Sequence, residues 1–442
     1  MSYSKALAKG MIIFMVAMAL TKILGYGYKI ILSRWLGAEN FGFFSLALAF
    51  FTLVSSIMVS GIHLSLSRFI AFERGKKDVE KIKKITSSSL LLITLTNVVA
   101  GVIVYFAANA IAMFMHQPQI APLLKIFAFM FPFYAILLTV QKIFEGFQRI
   151  DLSAIADVLV TTLRIALLIF AAALWFKIIA VVWSYVIATI IIASVALIQC
   201  SRIIPLTFKF NKKVISELLS FSWPLMIAVI VHIVMTWGDT LILGFFRTAR
   251  EVGIYSIATP TANLLTVPAF ALTTVFLPLI SNLFAKKETE NILKLYKTAT
   301  RWVFLVSIPA LVTVVLFPQR IINSTAGAGY VEGWLALTLL TVGVFINAIA
   351  TPANMMLLSL DKTKFMMKNS LIAFVVNIGL NIFLIPKLGM NGAALAFLIS
   401  SIIISYLRIS EVKVFIQTKV MSDKIIMTLL AGIVAAAIAY MS

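Results

Sequence analysis

Apolar stretches long enough to cross a bilayer recur along this chain from one end to the other, and that recurrence leaves few folds open to it. A hydrophobic run of about 18 residues or more spans a hydrocarbon core of about 30 Å as a helix. Such runs lie near residues 10–33, 41–66, 87–109, 119–141, 153–175, 178–200, 219–246, 255–284, 299–318, 333–358, 366–386, 390–410 and 424–441. Inside a bilayer each run must satisfy its own backbone hydrogen bonds, so the expected class is an all-α polytopic membrane protein. Composition agrees: of 442 residues 62% are hydrophobic and 12% charged, against about 25% charged in a soluble domain. The connections between runs are short and leave no room for a soluble catalytic domain. Lys5 and Lys9 precede the first run as in a signal peptide, but no small-residue cleavage site follows, and the reading is an uncleaved first span.

A net charge of +21 would suggest nucleic acid in a soluble protein. Here the placement of the charges explains it. Most of the 37 Lys and Arg residues fall in the N-terminal tail and every second connection. The other connections hold only Arg34, Lys177, Arg247, Arg250, Arg320 and Lys387. Basic residues stay on the cytoplasmic side, so the expectation is a cell-membrane protein with a cytoplasmic N-terminus. The single cysteine, Cys200, excludes an internal disulfide and says nothing of compartment.

The chain also repeats itself. "LGAENFGFFSLA" (36–47) follows the first span and "RTAREVGIYSIA" (247–258) follows the seventh, with Gly42, Ser45 and Ala47 matching Gly253, Ser256 and Ala258 at an offset of 211. An even number of spans per repeat gives two lobes of like orientation, as in carriers with parallel repeats. The expected organisation is a six-helix lobe over 1–212, a second over 213–415, and an additional C-terminal helix over 416–442.

Ionisable residues inside spans cost about 2.5–3.5 kcal/mol each on insertion scales and so face a bundle interior or a cavity. Several come in pairs on one helix face: Lys22 and Lys29, Asp157 and Arg164, His232 and Asp239, Asn347 and Asn354, and Asn377 with Asn381. Each has a plainer reading. Lys29 and Lys125 reach the interface from the outer third of their spans by snorkelling. Arg164 pairs with Asp157 or Asp239, or binds a substrate. Asp239 pairs with a cation, or binds a coupling proton or sodium. The asparagines bond between helices. His63, His116 and His232 lack the neighbours of a metal site, so no metal is expected. Four cations (Lys22, Lys29, Lys125, Arg164) against two anions (Asp157, Asp239) inside the spans favour an anionic visitor, a phosphate or diphosphate. Gly25, Gly27, Pro132, Pro260, Pro268, Pro278, Pro309 and Pro352 are expected to interrupt spans and supply places to bend. No phosphate-binding loop, HExxH or GxSxG motif occurs, so neither an ATPase engine nor an enzyme is expected.

Three longer stretches carry a family resemblance: "NIGLNIFLIPKLGMNGAALAFLIS" (377–400), "GDTLILGFFRTAREVGIYSIATP" (238–260) and "KILGYGYKIILSRWLGAENFGFFSLALAF" (22–50). They resemble the eleventh-to-twelfth, seventh-to-eighth and first hairpins of polysaccharide flippases of the multidrug/oligosaccharidyl-lipid/polysaccharide transporter superfamily. The resemblance covers at least residues 8–410. It implies two six-helix lobes that flip a polyprenyl-diphosphate-linked oligosaccharide to the outer leaflet by alternating access. The diphosphate would meet Lys22, Lys29 and Arg164, the sugars a hydrated cavity, and the polyprenyl tail the lipid at the lobe interface. In lipid II flippases an Asp of the seventh helix and polar residues of the eleventh form a sodium site, which by motif falls on Asp239, Asn377 and Asn381. Asparagine stands here for an eleventh-helix carboxylate, which leaves the coupling ion, Na+ or H+, open. Lipid II flippases typically have fourteen helices, against the thirteen runs found here. Expected partners are the lipid-linked sugar, membrane lipids and other polysaccharide-assembly membrane proteins. The rival readings are a cation-coupled multidrug or metabolite antiporter and a membrane-embedded glycosyltransferase or polymerase.

Overall fold

The computed structural model describes residues 3–173, 178–207, 210–286, 288–360 and 362–416. The expected extra span at 424–441 lies outside them. The described residues are helical with no strand, as bilayer solvation requires. Fifteen helices follow in order: α1 (Tyr3–Gly75), α2 (Val79–Phe114), α3 (Ala121–Ala128), α4 (Phe131–Gly146), α5 (Ile150–Ala173), α6 (Ile178–Ile203), α7 (Lys212–Phe246), α8 (Ala249–Asn263), α9 (Val267–Ala285), α10 (Thr289–Leu316), α11 (Pro318–Thr325), α12 (Trp334–Ile349), α13 (Thr351–Ser359), α14 (Thr363–Leu388) and α15 (Met390–Ile416).

Nine of the described helices are long and apolar enough to cross a membrane, or ten if the pair bent by 53° at α3 and α4 counts as one span. From Ala19 to Gly75 α1 runs over 57 residues. At 1.5 Å per residue that is about 85 Å, too long for one crossing. Gly37, at φ 74° and ψ 168°, breaks it into two crossings. The expected interruption at Gly25 and Gly27 is not made: the backbone is helical through both.

Proline places the other breaks. Pro132, Pro268 and Pro352 each stand in the first turn of the second half of an interrupted span, in α4, α9 and α13. That is where a missing N–H costs nothing and the fixed φ suits the helix. Pro260 and Pro309 instead lie within α8 and α10, whose helices run on past them.

The helices gather into two compact units, 1–245 and 246–442. In the first, α1, α2, α4, α5, α6 and α7 share one apolar cluster that includes Leu66, Ile85, Phe144, Val160, Cys200 and Leu218. Lipid tails are as apolar as these side chains, so close backbone approach and interhelical hydrogen bonds carry the association. Both are present. A Cβ on Gly146 would stand 2.8 Å from Cβ of Ile70, and one on Gly244 would collide with Leu46. Ser55 donates to Asn97 Oδ1 at 3.0 Å, and Ser222 donates to Ser65 Oγ at 2.7 Å.

In the second unit α9, α10, α13 and α15 share a cluster around Phe276, Tyr296, Met356 and Val412. The α14–α15 hairpin turns at Gly389, at φ 58°. Its turn is held from the start of α8. Glu251 Oε2 accepts the Met390 N–H at 2.9 Å, and Arg247 donates to the carbonyls of Ile385 and Pro386 at 3.1 and 2.9 Å. The last carbonyls of a helix have no partner within it, and an arginine fork supplies one.

Candidate functional site

The first unit holds a cation inside its helices. Arg164 stands in the middle of α5 and is half-buried. Its Nη2 donates to Thr189 Oγ1 at 3.3 Å, and Cζ lies 4.2 Å from the centroid of the Tyr185 ring. Tyr185 and Thr189 are one turn apart on α6 and so present one face to Arg164. Tyr185 also meets Tyr28 of α1 at 5.6 Å and Phe44 at 5.3 Å between ring centroids. Arg164 Nε is buried without a hydrogen-bond partner among the described residues.

No ion pair within 4.0 Å joins Arg164 to a carboxylate among the described residues. The pairing of Arg164 with Asp157 that shared faces allow is not made. Asp157 Oδ1 instead accepts from Gln141 Nε2 at 2.7 Å, across to α4. A guanidinium on an aromatic face keeps its charge and leaves N–H groups for an anion, which it binds in charge-assisted bonds.

Lys22 and Lys29 lie on the first half of α1, Lys22 exposed and Lys29 half-buried. Lys29 directly follows Tyr28, the ring that packs on Tyr185. Asp239 is buried on α7, 7% exposed. Asn377 and Asn381 belong to the second unit, buried on α14, with Asn381 Nδ2 donating to Asn377 Oδ1 at 3.0 Å. Asp239 thus stands in one unit and the two asparagines in the other. Among the described residues no group of three His, Cys, Asp or Glu is placed to hold a metal ion.

Two groupings escaped the sequence. Tyr28, Tyr185 and Thr189 gather about Arg164, although only the spacing of Tyr185 and Thr189 is visible in sequence. In the second unit, Asn369 of α14 donates to Glu411 of α15 at 2.7 Å. Both lie near the ends of their helices, where a polar residue in sequence looks like ordinary interface.

Buried polar groups inside bundles of apolar spans give this chain the build of a multi-pass membrane transporter. Its fold has solved counterparts. The lipid II flippase MurJ in an inward closed conformation superposes with a TM-score of 0.79, covering 97% of each chain at 19% identity. An inward-facing multidrug resistance MATE family transporter superposes with a TM-score of 0.76, covering 90% of this chain and 94% of that one at 15% identity. Residues 7–284 match the polysaccharide biosynthesis protein family, and the chain belongs to it. Residues 224–383 match the MatE family. Stage V sporulation protein B of Bacillus subtilis is 23% identical over 91% of this chain and 83% of its own length. The probable flippase AglR of Haloferax volcanii is 30% identical over 41% of this chain and 39% of its own length.

Proposed function

We propose that this chain is a flippase, not an enzyme, and that it carries a polyprenyl-diphosphate-linked oligosaccharide from the cytoplasmic to the outer leaflet by alternating access. The observation that carries the reading is Arg164, a cation in mid-span with no carboxylate within 4.0 Å among the described residues and an aromatic ring at 4.2 Å. Such a group is costly in a membrane unless an anion visits it. Arg164 binds the diphosphate with Lys22 and Lys29, replacing the water that the phosphates lose. The sugars travel in a hydrated interior while the prenyl chain stays in lipid. The family match and the probable flippase among the relatives support the same reading.

Transport runs on an ion gradient, Na+ or H+, through Asp239, Asn377 and Asn381. Basic residues in alternate connections support a cytoplasmic N-terminus. The second reading, a cation-coupled antiporter, draws on the MatE match over residues 224–383. It requires anionic groups in the interior, and the surplus of cations there argues against it. A membrane-embedded glycosyltransferase or polymerase would need catalytic carboxylates in sizeable outer connections, and these connections are short and carry few charges.

The test is a proteoliposome assay with a short-chain polyprenyl-diphosphate sugar placed in one leaflet and followed into the other. The parent protein flips it and Arg164→Ala, inserted and expressed as the parent, does not. A parent that moves cationic drugs and leaves the lipid-linked sugar in place establishes the antiporter instead.

A further inference from the structure

The exposed face of the first unit carries an apolar groove along α2. Its first section, about 470 Å³, lies over Leu90, Leu91, Leu95 and Val98 of α2 and is closed by Ile136 of α4 and Leu197 of α6. The second, about 340 Å³, continues from Val98 over Gly101 and Tyr105 against Phe129 and Phe133. The two meet at Val98. Gly101 lets the walls approach, since a Cβ there would stand 2.8 Å from the Ala128 carbonyl oxygen. From Ser87 to Tyr105 the groove covers 19 residues of helix, and the 18 steps between them rise about 27 Å at 1.5 Å each. That is close to the full thickness of a hydrocarbon core, about 30 Å.

One end of the groove is basic. Ser87 and Ser88 accept the N–H groups of Thr207 and Asn211, each at 2.9 Å. These bonds seat the α6–α7 connection on the first turns of α2. Lys84 on one side and Lys212 and Lys213 on the other are exposed beside this junction.

We propose that this groove is a binding site for the prenyl chain of a polyprenyl diphosphate, with the basic end receiving the diphosphate before translocation. Length selects the occupant. A phospholipid acyl chain reaches only its own leaflet, about half of a 30 Å core. A groove that runs through both leaflets matches a longer chain, and a prenyl chain of tens of carbons fills it. Charge at the Ser87 end matches the diphosphate. The inference rests on the flippase reading and deepens it by giving the prenyl chain a seat on α2 before the headgroup moves.

The experiment is photolabelling of the full-length protein in lipid nanodiscs with a polyprenyl diphosphate that carries a diazirine in mid-chain, read by mass spectrometry. Label is expected on residues 87–106 or on the facing residues of α4 and α6. Leu95→Trp and Val98→Trp, which fill the groove, lower it about fivefold or more, and Ile103→Trp, on the same helix outside the groove, leaves it unchanged. Unlabelled polyprenyl diphosphate competes, while an equal excess of phosphatidylglycerol does not. Label elsewhere, label indifferent to both filling substitutions, or equal competition by phosphatidylglycerol overturns the proposal. The readout needs no transport, so a protein that fails to flip and still labels at α2 loses the flippase reading and keeps the groove.

Discussion

The guanidinium of Arg164 rests on the ring of Tyr185, with 4.2 Å between its carbon and the ring centroid. The contact fixes where a buried positive charge sits without cancelling that charge. A carboxylate in the same place would hold the arginine equally well and leave nothing for an anion to find.

Arg164→Lys separates charge from shape. Lysine keeps the positive charge but loses the planar fork and the flat stacking surface. Translocation of a lipid-linked diphosphate by this variant is expected to fall about tenfold or more, with expression and elution profile unchanged. Initial flipping rates in proteoliposomes check it; a rate equal to the parent's would show that charge alone suffices.

Tyr185→Phe keeps the aromatic face and is expected to transport within about twofold of the parent. Tyr185→Leu removes the face, worth about 0.5–2 kcal/mol to a cation. Its transport is expected to fall well below that of the phenylalanine variant. Equal rates for the two would assign Tyr185 to packing alone.

Gly389→Ala tests the hairpin turn of the second unit. The position is at φ 58°, and an added Cβ would collide with the Glu251 carboxylate that accepts the Met390 N–H. This positive-φ backbone, nearly confined to glycine, alone costs a residue with a Cβ about 1–3 kcal/mol. A lower melting temperature is expected for the detergent-solubilised variant, and Glu251→Ala is expected to lower it as well. Melting at the parental temperature for both would remove this junction from the determinants of stability.

Asp239→Asn is expected to abolish the response of transport to an imposed sodium or proton gradient while leaving downhill exchange of substrate. Flipping rates measured with and without each gradient decide it. A parent insensitive to both gradients ends the coupling proposal.

Much of the fold was legible because hydrocarbon demands long apolar helices, and that demand is written residue by residue. The breaks were harder. Pro132, Pro268 and Pro352 mark interruptions that the sequence exposes, but Gly25 and Gly27 looked equally disruptive and sit in unbroken helix. A glycine in a membrane helix bends it only where its surroundings ask for another conformation, as they do at Gly37. Arg164 was found because a cation in mid-span is conspicuous. Tyr28 and Tyr185 were not, because tyrosine is common in apolar helices and their meeting depends on how α1, α5 and α6 pack.

Gly37 joins the two crossings of α1 with a single non-helical residue and no loop. A joint of one residue has no slack. It keeps the ends of the two arms one residue apart whatever the angle between them. Lys29 and Tyr28 ride on one arm, and Ser65, bonded to α7, rides on the other. The tyrosine that packs on Tyr185 is thus moored, through one residue, to a helix that is itself bonded to α7.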